Sequence, residues 1–206
     1  LTNRIFEVSA NEIYLSMRYF HMAFHGLKVK PEWNTASIGC DGNYIYYKPE
    51  YIIKLYESDP ILVNRVYLHM LLHCILRHMI KRGKRNRDFW NLACEIVVES
   101  VLDSFHYRCV HLPVHGRRRN IYRELKKHMK VFTAEKVYSW LVDQNLSAAH
   151  FAELMMEFRR DDHSFWEFPE DNMEQQIEAL NNRWQNISEE TQTEVETFAK
   201  DQEEEA

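Results

Sequence analysis

A chain of 206 residues has the length of one domain, or of one domain with a tail. Its 45% hydrophobic content supports a sizeable core, and only 5 Gly and 5 Pro argue against an all-β design. No apolar run reaches the ~18 residues that a membrane-spanning helix needs, and the net charge of −5 hides two basic stretches and an acidic end.

In chain order, Leu1-Thr2-Asn3-Arg4 shows no leader pattern, and the missing initiator Met makes the chain read as a piece of something longer. Ser9-Ala10-Asn11-Glu12 has the form of a capping box and predicts a helix to about Phe24, closed by Gly26. Thr35 to Tyr47 reads as a β-hairpin turning at Asp41-Gly42 and ended by Pro49. Asp59-Pro60 opens the main helix, expected to run to about Lys81 and stop at Gly83. Asp88 caps a helix over Phe89 to Leu102, followed by a loop with Pro113 and Gly116. Thr133 and Ser147 cap helices to about Val142 and Arg159. After the polar loop Asp161-Asp162-His163, a last helix covers about Met173 to Trp184. The expected fold is α+β, mostly helical with one small sheet. A domain over 1–185 is expected, then an acidic tail or linker over 186–206.

Cys40, Cys74, Cys94 and Cys109 are scattered without a C-x-x-C pair. They read as reduced cytoplasmic thiols, which argues against a cysteine-built zinc site. The main helix carries a more telling pattern. His69-Met70-Leu71-Leu72-His73 sets two imidazoles four residues apart. At 3.6 residues per turn they project from one face, offset by about 40°. That spacing lets two ring nitrogens share one zinc ion. Their neighbours Leu68, Leu71, Leu72 and Ile75 are apolar, so the histidines should be buried and in need of partners. On the next helix, Glu95 and Glu99 stand at i and i+4 in an apolar stretch. Buried carboxylates are costly unless paired or ligating. Two histidines and one carboxylate form a known zinc arrangement, which makes Glu95 the favoured third ligand. His78 is a rival if the helix breaks near Arg77, because in a regular helix it points about 140° away from His73. His163 is a second rival, from a loop.

These segments together resemble a family. Cys40 to Glu50 is similar to its T-D-G…Y-Y-N-P-E hairpin, and His69 to His78 to its H-E-x-x-H-x-x-x-x-H helix. Trp90 to Val98 resembles its W-N-x-A-x-D helix, and Thr133 to Tyr138 its S-A-E-x-I-Y segment. Asp162-His163-Ser164-Phe165-Trp166 resembles its D-x-H-x-x-W segment. The family is the metallopeptidase-like domain that precedes a von Willebrand factor A-like domain in bacterial proteins. The resemblance implies a zincin-like fold, a cytoplasmic location, zinc, a peptide or protein substrate and a downstream von Willebrand factor A-like partner domain.

Two departures stand out. Glu95 replaces the family's Asp and keeps a carboxylate. Met70 replaces its Glu and removes the general base. A base contributes typically ~10²–10⁴-fold in rate, and a thioether cannot accept the proton of a metal-bound water. Metal binding without efficient peptide hydrolysis is the expected outcome, with Glu99 as a substitute base to be weighed. A second reading is a scaffold or binding module. Residues 77–87 carry six basic side chains and no acid, and residues 108–130 are also basic, with aromatic residues among them. A face that docks the acidic tail or a partner domain is the expected role of these segments, and nucleic acid is not the expected partner.

Overall fold

The computed structural model describes residues 1–169 and 171–204. It is a mostly helical α+β protein with one three-stranded sheet, as the sequence implies. The chain divides into two compact units, Leu1–Ile80 with Asp161–Ala206, and Lys81–Arg160.

In the first unit, α1 spans Thr2–Ser16 and a 3₁₀ turn leads into α2, His21–Gly26. Ser9 therefore lies inside α1 and does not cap it. Its hydroxyl is buried and donates to Asn64 Oδ1 at 2.6 Å, while Asn64 Nδ2 donates to Glu12 Oε2 at 2.7 Å. The capping-box residues thus serve a tertiary polar chain. The predicted hairpin forms as β2 (Ile38–Cys40) and β3 (Tyr44–Tyr47), antiparallel. Gly42 takes the left-handed conformation at φ +87° that the turn requires. Asp41 Oδ1 accepts from the N–H groups of Asn43 and Tyr44, each at 2.7 Å. A strand not foreseen from the sequence, β1 (Lys28–Pro31), pairs parallel with β3, giving the order β1-β3-β2. Pro49 both ends β3 and begins a further helix, α3 (Pro49–Ser58), as its N1 residue.

Helix α4 (Pro60–Ile75) is the centre of this unit. Asp59 caps it by accepting from Ile61 N at 2.9 Å. Every residue from Val63 to Cys74 is buried, so the helix is covered on all sides. It stops at Ile75, short of the expected Lys81. Arg77 adopts φ +58°, and His78 N donates to His73 O while Arg77 N donates to Cys74 O, both at 3.0 Å. That pair of bonds is a Schellman cap with arginine at the position glycine usually holds. The last helix, α9, runs over Met173–Glu204, well past Trp184, and residues 186–204 belong to it. Trp184 is fully buried and donates from Nε1 to Gly42 O at 2.8 Å.

The second unit contains α5 (Arg87–Ser104), α6 (Gly116–His128), α7 (Ala134–Asp143) and α8 (Ala148–Phe158). Asn86 caps α5, accepting from Asp88 N and Phe89 N, so the helix begins earlier than an Asp88 cap would allow. Thr133 and Ser147 cap α7 and α8 as their sequences predict. α6 lies where the sequence suggested a loop. No described helix is long and apolar enough to cross a membrane.

Candidate metal centre

The histidines at the end of α4 form a linked series. His69 Nε2 lies 2.8 Å from His73 Nε2, and both rings are buried. His73 Nδ1 lies 3.0 Å from His78 Nδ1. The Schellman cap brings His78 back to this position, since a regular helix would carry it away. A neutral imidazole presents one donor and one acceptor. If His73 carries its proton on Nδ1 and donates to His78, its Nε2 lone pair is left facing His69. Outer hydrogen bonds of this kind fix the tautomer of metal-binding histidines. The structure therefore places His78 behind His73, on the ring nitrogen that points away from His69.

A carboxylate joins the two histidines from the segment before the second 3₁₀ turn (His163–Trp166). Asp161 is buried, and its Oδ1 lies 3.9 Å from His69 Nε2 and 2.8 Å from His163 Nε2. The donor atoms of His69, His73 and Asp161 lie within 4.8 Å of one another. Two ligand bonds of ~2.1 Å span at most about 4.2 Å, so closure on an ion needs shifts of a few tenths of an ångström. His163 stacks on Trp166, ring centres 3.5 Å apart and 18° from parallel, and presents its edge to His73. It holds Asp161 and lies outside the converging donor group.

The position of Asp161 follows from the sheet. Asp162 N donates to Ile38 O at 2.7 Å, and Thr35 Oγ1 donates to Asp162 Oδ2 at 3.0 Å. The close approach depends on Gly39, where an added Cβ would lie 2.4 Å from Asp162 O and 2.5 Å from the Phe165 ring. Phe165 also stacks on Tyr46, centres 4.7 Å apart. Asp161 was not singled out from the sequence, although the signal was present. In a D-x-H-x-x-W segment anchored on His163 and Trp166, the aspartate is Asp161, one residue before the Asp162 with which the resemblance begins above.

Met70 is fully buried, and its carbonyl lies 3.9 Å from Cys40 Sγ. Cys40 and Cys74 touch at 3.8 Å, and all four cysteines are free thiols. The hydrogen bond with Cys74, then burial, hold the Cys40 thiol well above its ordinary range, so it stays protonated. The remaining candidates lie in the second unit. Glu95 is fully buried on α5, and its Oε2 accepts from Arg160 N at 2.7 Å. Glu99 receives Arg118 Nη1 at 2.5 Å, with Arg160 Nε at 3.7 Å.

Two buried histidines on α4 and a buried carboxylate from the segment before the second 3₁₀ turn have the donor chemistry of a transition-metal site. The family of the chain is shown by comparison. The sequence profile of a family described as "putative metallopeptidase domain" matches residues 16–206, and the chain belongs to that family. No curated protein and no solved structure matches it.

Proposed function

We propose that this protein is a metallopeptidase-family domain that binds zinc through His69, His73 and Asp161 but hydrolyses peptides weakly or not at all. The observation that carries the reading is the convergence of two Nε2 atoms and one buried carboxylate within 4.8 Å, directly beside a methionine. Neutral nitrogens and one carboxylate suit zinc, which in such sites polarises a water. Met70 stands one residue after His69, where the family places its glutamate, and its thioether takes no proton at neutral pH. Glu99 is a poor replacement because its carboxylate is engaged by Arg118.

Glu95 remains the proposed further ligand. Two facts support it. Its carboxylate is buried on α5, and it is hydrogen-bonded to Arg160, the residue covalently joined to Asp161. His78 and His163 act in this reading as positioning residues, on His73 and Asp161 respectively. A cytoplasmic setting fits the four free thiols.

Elemental analysis of untagged protein tests the metal. About one equivalent of zinc is expected, with His73→Ala and Asp161→Asn both losing it. Retention of less than about a tenth of an equivalent after zinc is added back would overturn the site. Casein cleavage tests the chemistry separately. The natural chain should be inactive, and Met70→Glu, once thermal unfolding shows that it folds, should gain activity that His69→Ala removes. Cleavage by the natural chain that depends on His69 would show that Met70 does not disarm the site. Co-purification with a von Willebrand factor A-like domain tests the expected partner.

A further inference from the structure

The two basic segments have different fates. In the first, Arg77 is engaged by Asn181 and Gln185, and Arg85 lies over the Trp90 and Tyr138 rings at 5.0 and 5.8 Å. The second lines a cavity of about 800 Å³ that lies wholly within the second unit, between the end of α5, the 105–115 loop, α6 and residues 130–132. Ligand sites commonly hold roughly 300–1,000 Å³.

Three features of this cavity point to one chemistry. The first is a stripe of cations. Arg119, Arg123 and Lys126 line the cavity from α6, joined by Lys130 just beyond the helix. Their i, i+4, i+7 spacing keeps them within about 60° of arc, with rises of ~6 and ~4.5 Å along the axis. Arg119 is steadied by donating to Val114 O at 3.1 Å. Glu124, the one acid on α6, lies outside the cavity and meets Lys127 at 2.6 Å and His128 at 3.6 Å.

The second feature is electrostatic. Asp103 is the only carboxylate lining the cavity, and it is already met by Arg118 at 3.1 Å and by the Tyr122 hydroxyl at 2.8 Å. The cavity therefore presents net positive charge. The third is an aromatic wall. Tyr122 and Phe132 stand with centres 6.3 Å apart, and the hydroxyl bond to Asp103 fixes the Tyr122 ring. Guanidinium forks bind phosphate and carboxylate alike. Two aromatic faces beside them, tilted 41° to one another, favour a ligand that carries both a phosphate and a flat ring.

We propose that this cavity binds a nucleoside phosphate, free or at the end of a single strand. The phosphates lie along Arg119, Arg123 and Lys126, and the base packs against Tyr122 and Phe132. The proposal does not depend on the metal, because every residue it uses lies outside the His69–His73–Asp161 site.

Calorimetric titration of the full chain at low salt tests it with AMP, ATP, TMP, an eight-nucleotide oligo(dT), inorganic phosphate and hexaglutamate. ATP should bind more tightly than AMP, and both more tightly than phosphate. Phe132→Ala should weaken the nucleotides about 10-fold and leave phosphate unchanged. Arg123→Ala/Lys126→Ala should weaken every phosphate ligand about 10-fold and reduce the salt dependence. Arg123 and Lys126 are exposed and Phe132 is half-buried, so thermal unfolding and zinc content are checked for each variant and should match the natural chain. Oligo(dT) binding more tightly than TMP identifies a strand end, and equal binding identifies a free nucleotide. Absence of binding at about 1 mM ATP overturns the proposal. So does hexaglutamate binding as tightly as ATP with no effect of Phe132→Ala, which would identify an acidic peptide groove.

Discussion

In the second unit, Glu99, Asp103 and Glu157 gather around Arg118, at 2.5, 3.1 and 3.0 Å. In the first, Asp161 faces the imidazoles of His163 and His69. Both clusters are buried, and both resist the cost of taking charge out of water, by different means. A guanidinium is a permanent cation. Burial alone would lower the Arg118 pKa, but the charge and hydrogen bond of Glu99 reverse this and hold it above its ordinary value. An imidazole carries charge only when protonated, and when neutral it offers a lone pair. One cluster is therefore complete as folded, and the other is suited to take up a cation.

The largest expected effect comes from breaking the complete cluster. Arg118→Met should cost about 3–5 kcal/mol in urea denaturation at neutral pH, because buried carboxylates lose their cation. A loss below about 1 kcal/mol would mean that the carboxylates take up protons, so that Arg118 is not what holds them. Chelation should not change this increment, because the network contains no metal donor.

A smaller effect is expected behind the metal-binding cluster. His78→Phe fills the volume but cannot bond His73 Nδ1. It should weaken zinc binding about 10–100-fold, measured by competition with a chelator. His78→Gln, which can restore a hydrogen-bond partner, should recover part of the loss. Equal affinity in all three proteins would reduce His78 to packing.

The two clusters were not equally legible in the sequence. His69 and His73 were, because helical spacing alone puts them on one face. The end of α4 was not. The apolar pattern continues to Ile80 without Gly or Pro, and only the left-handed Arg77 shows where the helix turns. Asp161 sits in a polar loop whose place is set by tertiary bonds from Thr35 and Ile38. Those bonds join residues more than 100 positions apart, which no local pattern reveals. Pro49 illustrates another ambiguity, since proline ends a strand and opens a helix with the same fixed φ. α6 was hidden because the loop read at Pro113 and Gly116 was followed by no helix before Thr133, although the arginines and lysines of 117–127 are good helix formers. The acidic end behaves likewise. Its Glu and Gln residues continue α9 beyond Trp184.

The smallest expected effect separates the units by their tyrosines. Burial pushes Tyr67, on α4, up to about 12. Tyr122, on α6, is raised further still, first by burial and then by Asp103. A tyrosine in the unfolded chain ionises near ~10. The folded state therefore keeps a proton that the unfolded state has lost. The stability from Tyr67 is fully present below pH ~10 and is lost as pH rises through about 12. At pH ~11 Tyr67→Phe should reduce the alkaline loss of unfolding free energy, read by urea denaturation, by about 1 kcal/mol. It should also lower the phenolate absorbance step near pH 12 by one tyrosine, leaving the share of Tyr46, which burial and Asp41 likewise push up to about 12. Tyr122→Phe should leave that step in place, because in the natural chain the Tyr122 hydroxyl stays bonded to Asp103 and contributes nothing to it until the network around Arg118 gives way. If Tyr122 instead ionised with Tyr67, the Arg118 cluster would be open to hydroxide. The contrast between a closed ionic network and an open histidine site would then fail from the side of the network.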